Sequence, residues 1–105
     1  MAWNVAGTKL ATGSEDNFAR VFDLGTGKEI QKFVHGDYVR SVALNAAGTL
    51  IATGSDDGFA HVFDVGTGKE IQKLAHGGWV MSVAWNAAGT QLATGCFDHS
   101  ARIFA

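Results

Sequence analysis

Three stretches of the chain open on the same pattern, at Ala2-Trp3-Asn4, Ala43-Leu44-Asn45 and Ala84-Trp85-Asn86, each 41 residues after the one before. About two thirds of positions 2–42 recur unchanged in 43–83. Self-similarity with a period in the forties means stacked supersecondary units, each burying its apolar face against the next. The 105 residues suffice for one small domain, and an apolar fraction of 47% supports a packed core rather than disorder.

One complete unit shows what repeats. Tyr38 to Asn45 is rich in β-branched and aromatic residues and alternates, with Val39, Ser41 and Ala43 on one side and Arg40, Val42 and Leu44 on the other. Ala46 to Thr49 reads as a turn, with Gly48 free to take positive φ. Leu50 to Ser55 is a second strand, Asp56-Asp57-Gly58 a hairpin of the type I′ class, and Phe59 to Asp64 a third strand. After Gly66-Thr67-Gly68, Lys69 to Leu74 forms a fourth, charged strand suited to an outer edge. No segment has helical periodicity with caps. Four short antiparallel strands joined by tight turns make a propeller blade, so the expected fold is an all-β partial propeller of four-stranded antiparallel blades.

Around that unit, Met1 to Asn4 supplies half of a first strand, followed by strands at 9–14, 17–23 and 28–33. Strands at 79–86, 91–96 and 100–104 follow it, without a fourth. The expected division is blade 1 over about 1–34, blade 2 over about 37–75 and blade 3 over about 78–105, roughly two and a half blades. Closed propellers take about 4–8. The chain is therefore expected to be either a piece of a longer propeller or a unit that completes a ring with copies of itself. A net charge of −2 and the lack of a basic stripe argue against nucleic acid. Apolar runs of a few residues argue against a membrane span, and the N-terminus has no secretory pattern. The lone Cys96 cannot form an intrachain disulfide, which fits an intracellular, cytoplasmic setting.

The repeated motifs resemble those of the WD-repeat (Trp-Asp repeat) β-propellers. His35 and His76 precede the strand valines Val39 and Val80 by four; Ser41 to Leu44 and Ser82 to Trp85 follow; then come Leu10 to Asp16, Ile51 to Asp57 and Leu92 to Asp98. The family's Trp-Asp is Phe22-Asp23, Phe63-Asp64 and Phe104-Ala105, so phenylalanine removes an indole donor in every copy. The resemblance implies a structural hydrogen-bond network of His35 and His76, Thr12, Thr53 and Thr94 (with Ser14 or Ser55 as alternatives), and Asp16, Asp57 and Asp98. It implies a non-enzymatic scaffold whose top-face loops bind a protein or peptide. The positions it singles out are Tyr38, Arg40, Trp79, Met81, Glu15, Asp56 and Phe97, where the otherwise near-identical units differ.

Other chemistries fare worse. A His, Ser/Thr and Asp set could suggest nucleophilic catalysis, but here it recurs once per unit, whereas catalysis needs one specialised site. Gly25 to Lys28 and Gly66 to Lys69 lack the earlier Gly and the following Ser/Thr of a phosphate loop and read as hairpin turns. No metal spacing is present: His35 and His76 are repeat-equivalent, and His61 and His99 read as isolated. Cys96 stands where other units have Ser and reads as a small buried residue. Phe18 and Phe59 are expected either to widen the inter-blade core or to form an apolar rim. No catalytic residue, metal or cofactor is expected. A building block acting by self-association and a small-ligand or sugar-binding propeller are the alternative functions.

Overall fold

The computed structural model describes residues 2–3, 8–86, 88, 90–96 and 101–104, with only the backbone of Ala2, Trp3 and Ala101. The described residues form strands without helices. The first sheet holds β1 (Ala2–Trp3), β2 (Lys9–Gly13), β3 (Phe18–Asp23) and β4 (Lys28–Val34). The second holds β5 (Val39–Leu44), β6 (Leu50–Ser55), β7 (Phe59–Asp64) and β8 (Glu70–Ala75). The third holds β9 (Val80–Trp85), β10 (Leu92–Cys96) and β11 (Ala101–Phe104). All neighbours are antiparallel and consecutive in sequence, as short turns dictate.

Two cores lie between the sheets. Ala11, Ala19, Val21 and Phe33 of the first sheet meet Val39, Val42, Leu44, Ile51 and Phe63 of the second. Phe33 stacks on Phe63 with ring centroids 4.4 Å apart. On the opposite face of the second sheet, Ala52, Ala60 and Val62 meet Val80, Val83 and Leu92 of the third, with Ala43, Leu74 and Trp85 at the margin. The alanines let the sheets approach closely. Gly54 goes further: a Cβ there would lie 2.8 Å from the Val80 carbonyl oxygen. The outer strands β4 and β8 carry exposed Lys and Glu side chains, which disfavours edge pairing.

Two local expectations need correction. The β6–β7 connection is not type I′, because Asp57 lacks the positive φ that turn requires. It is a three-residue connection in which the Gly58 N–H reaches the Ser55 carbonyl at 3.4 Å and Gly58 takes φ 86°. Side chains brace it: Ser55 Oγ accepts the Asp57 N–H and the Asp57 carboxylate accepts the Phe59 N–H. In the first unit Asn17 takes φ 74° at Gly58's place, a conformation asparagine tolerates better than most residues.

The second correction concerns β5. Strict alternation fails because Val39 pairs with Ser55 and Ser41 with Gly54, leaving Arg40 as an extra residue. Val39 therefore joins the same core as Val42 and Leu44. The third sheet repeats the irregularity: Val80 pairs with Cys96 and Ser82 with Gly95, leaving Met81 over. Such a bulge lifts one side chain out of the pleat at the end of a strand.

Candidate functional site

The turns at 14–17 and 55–58 and the lead-ins to β5 and β9 meet at one end of the sheets, here termed the top. Backbone hydrogen bonds tie them: Val39 N–H to the Ser14 carbonyl (3.1 Å), and Asp56 N–H to the Tyr38 carbonyl (2.9 Å). Below that rim lie the histidines. His35 Nε2 is 2.7 Å from Thr53 Oγ1, and His76 Nε2 is 2.8 Å from Thr94 Oγ1. Each thus links the end of one sheet to the second strand of the next. Their Nδ1 atoms face the carbonyls of Phe33 and Leu74. Burial, reinforced by the charge of His61, pushes the His35 pKa down despite the opposing Phe33 carbonyl. Thr12 is half-buried and has no histidine bonded to it among the described residues.

The turn aspartates do not join these pairs by hydrogen bonds to the loop histidines. Asp57 bonds to His61 Nε2 at 3.0 Å, while His61 Nδ1 reaches Glu70 at 2.6 Å. His61 is buried, packed edge-on against His35 and parallel to Phe63, so it is far from isolated. Burial raises the Asp57 pKa, but bonds from His61 and the Phe59 and Gly36 N–H groups, with the His61 charge, hold it below its ordinary value. In the first unit Arg20 stands at His61's place and Glu29 at Glu70's, and Arg20 pairs with both Asp16 (2.7 Å) and Glu29 (3.2 Å). The Arg20 hydrogen bond holds the Asp16 carboxyl at about 2. A basic residue four after the turn Asp was the available sequence signal for this bracket. Asp98 and His99 lie outside the described residues.

The remaining motifs resolve as local structure. The amides of Gly25 and Thr26 are taken by Asp23 Oδ1, and the Thr67 amide by Asp64 Oδ1, so these turns hold their own carboxylate where a phosphate loop would hold phosphate. The buried Cys96 Sγ reaches the Gly78 carbonyl at 3.4 Å, just as Ser55 Oγ reaches the Asp37 and Tyr38 carbonyls. Phe18 and Phe59 are half-buried beneath Lys32 and Lys73, whose ammonium groups sit 4.1 and 4.2 Å from the ring centroids. They form neither an enlarged core nor a bare apolar rim.

At the rim, four of the singled-out residues come together. The Arg40 guanidinium lies 5.4 Å from the Tyr38 ring and 5.3 Å from the Trp79 ring, within cation–π range of both. Its Nε and Nη2 donate to the two Asp56 carboxylate oxygens at 2.9 and 2.7 Å, a bidentate pair. That hydrogen-bonded pairing raises the Arg40 pKa, and the Glu15 charge adds to it. The Asp56 side chain is only 5% exposed, so the clamp is anchored inside the fold. Tyr38, Trp79 and Met81 remain substantially exposed. Met81 holds the bulge position in the third sheet, and Phe97 lies outside the described residues.

A family model described as WD domain, G-beta repeat matches residues 1–23, 27–64 and 68–104. The chain belongs to the WD-repeat family. It is also 50% identical over 40 residues to a Poly(A)+ RNA export protein of Schizosaccharomyces pombe, a match covering 38% of this chain and 11% of that protein. As a WD-repeat protein the chain is a scaffold of blades. Its histidine sets are structural in form. His35 and His76 present Nδ1 to backbone carbonyls rather than to a carboxylate, whereas His61, which does meet carboxylates, has none of the hydroxyls that His35 and His76 hold. No group of three or more His, Cys, Asp and Glu suited to a metal occurs among the described residues. None of these residues belongs to a helix long and apolar enough to cross a membrane.

Proposed function

We propose that this WD-repeat chain is a non-enzymatic scaffold that binds a protein or peptide at the top rim, with Tyr38, Arg40, Trp79 and Met81 as anchors. The observation that carries the reading is the guanidinium of Arg40 held between two exposed aromatic rings and locked by Asp56. A clamp of this kind pre-orders the rings, so a partner meets large apolar surface at little cost in side-chain entropy. Arg40 is already satisfied by Asp56, so it orders the rings and is not itself a receptor for anions. The surrounding exposed side chains Glu15, Asp16 and Asp37 are acidic. The chemistry that fits is a segment with an aromatic or aliphatic residue flanked by Lys or Arg. The match to the RNA export protein spans about one repeat, so what the two share is the blade.

Panning a random peptide library against the chain tests this. Recovered peptides should combine basic and aromatic residues, and their affinity should fall by about tenfold or more in Trp79→Ala, as for a central anchor. Thr67→Ala, in the β7–β8 turn, should leave it unchanged. Peptides that bind equally well to Trp79→Ala and Arg40→Ala would overturn the proposal.

A further inference from the structure

Where the connection after β4 passes the second sheet lies a hollow of about 400 Å³ that the top rim does not use. Its walls come from residues between Val34 and Lys73, all within the described chain. The rings of His35, Phe59 and His61 line it, and Asp57, Glu70 and Lys73 add charge. Room of this size, aromatic walls and a few convergent polar groups are the ordinary makings of a ligand site.

The first unit shows what this set of groups holds. Asp16, Phe18, Glu29 and Lys32 are the counterparts of Asp57, Phe59, Glu70 and Lys73, and Arg20 stands at His61's place. The Arg20 guanidinium lies 2.7 Å from the Asp16 carboxylate, 3.2 Å from that of Glu29 and 5.2 Å from the Phe18 ring centroid. In the second unit the imidazole spans the same two carboxylates, 3.0 Å from Asp57 and 2.6 Å from Glu70. It is the poorer partner. A guanidinium offers five donors and a permanent charge, whereas a neutral imidazole offers one N–H and no charge. One carboxylate then faces a nitrogen that only accepts. The Glu70 side chain is 39% exposed and lines the hollow, so an outside donor can reach it. Among the described residues the Phe59 ring has one cation over it, Lys73 at 4.2 Å, where Phe18 has two.

We propose that this hollow binds an alkylguanidinium group, the chemistry an arginine side chain carries, and that the ligand plays in the second unit the part Arg20 plays in the first. Its N–H groups donate to Glu70, and its plane lies against the Phe59 ring once the Lys73 ammonium has swung out to solvent. Val34, 71% exposed and lining the hollow, receives the alkyl stem. The planar fork is preferred to an ammonium, which only repeats what Lys73 already supplies. The site shares no residue with the anchors Tyr38, Arg40, Trp79 and Met81, so either can fail without the other.

Titration of the chain with millimolar capped arginine (N-acetyl-arginine amide), followed by NMR of the aromatic side chains, tests it. The Phe59 and His61 ring signals should shift saturably, and those of Tyr38 at the rim and Trp85 in the second core should not. Capped lysine should bind several-fold more weakly. Glu70→Gln should weaken binding by about tenfold or more, the worth of a hydrogen bond to a charged group. Lys73→Gln should tighten it by clearing the Phe59 face. His61→Arg should abolish it with an unchanged circular dichroism spectrum, because the first unit already houses an arginine at this place. Arginine flanked by glycines that binds tighter than the capped residue assigns the site to a partner chain, and equal binding assigns it to a free guanidino compound. A titration without saturable shifts at Phe59 and His61, a His61→Arg chain that binds like the parent, or a Lys73→Gln chain that binds worse would each overturn the proposal.

Discussion

Replacing Thr53 by valine isolates the bond that ties the first sheet to the second. Thr53 is fully buried, and its hydroxyl meets His35 Nε2 at 2.7 Å. His35 Nδ1 lies 3.2 Å from the Phe33 carbonyl, which only accepts, so Nδ1 carries the proton. Burial lowers the His35 pKa and so favours the neutral ring, whose Nε2 then accepts from the Thr53 hydroxyl. Valine preserves the shape and removes the donor. With His35 itself 6% exposed, water does not replace it freely. The relevant magnitude is thus the cost of a buried unsatisfied partner, about 1–3 kcal/mol, rather than the smaller net worth of a bond exchanged with water. For a domain of this size each kcal/mol moves Tm by about 4–8 °C.

Thr53→Ser separates hydroxyl from methyl. It keeps the donor and loses one methyl group, for about 1 kcal/mol. Urea titrations followed by circular dichroism, with m compared across variants, give the values. A double-mutant cycle with His35→Phe should show a coupling energy of at least about 0.5 kcal/mol. The His76–Thr94 pair has the same geometry, but His76 is only half-buried, so Thr94→Val should cost less. A Thr53→Val chain as stable as the parent, or a cycle without coupling, would refute the reasoning.

Further outcomes follow from the same geometry. Gly54→Ala puts a Cβ 2.8 Å from the Val80 carbonyl oxygen and 2.9 Å from Val80 Cγ1, so overpacking should cost about 1–3 kcal/mol in thermal or urea unfolding. Trp79→Ala, which alters an exposed ring, should cost less than about 1 kcal/mol in the same assays, separating the rim from the fold. Acid should destabilise in two stages. The folded-state pKa of His35 is lowered, so the unfolded chain binds more protons there; its contribution is complete above 6.5 and is lost as pH falls below it. Asp16 and Asp57 are also lowered, so theirs are complete above 3.8 and are lost on further acidification, Asp16 through about 2. A Tm-versus-pH series should show both falls, and His35→Gln should flatten the first.

The strands were legible because each unit combines alternating apolar residues with Gly, Asn and Asp at its turns, and copying that unit removes the ambiguity of any single short strand. The loop histidine and strand threonine, with Ser14 or Ser55 as alternatives, came from the resemblance to the WD-repeat family and not from the residues by themselves. The partner of the turn aspartate was not legible. Reading Asp57 toward His35 ignored His61, whose imidazole meets both Asp57 and Glu70. The two carboxylates lie 13 positions apart in sequence, and only the β7–β8 pairing brings Glu70 beside the strand that holds His61. The bulges were also hidden, because a period-2 pattern read through Arg40 gives plausible faces on both sides.

The bulge explains how a chain of near-copies diversifies its surface without disturbing its core. Residues between the sheets change little in character between units: Val21 and Val62, Val42 and Val83, Phe33 and Leu74. The residues that change in kind include Arg40 against Met81, which occupy the extra position beside Val39 and Val80. Because that residue is unpaired in the ladder, its side chain is free of the pleat's alternation and of the packing that fixes Val39, Val42 and Leu44. Substitution there alters the rim without opening a cavity. In the second sheet that freedom lets a guanidinium reach Asp56 on its own sheet and Trp79 at the next. Methionine in the third sheet forms no such clamp and leaves a flexible apolar surface instead. One backbone device, repeated, thus yields a rigid anchor in one blade and an adaptable one in its neighbour.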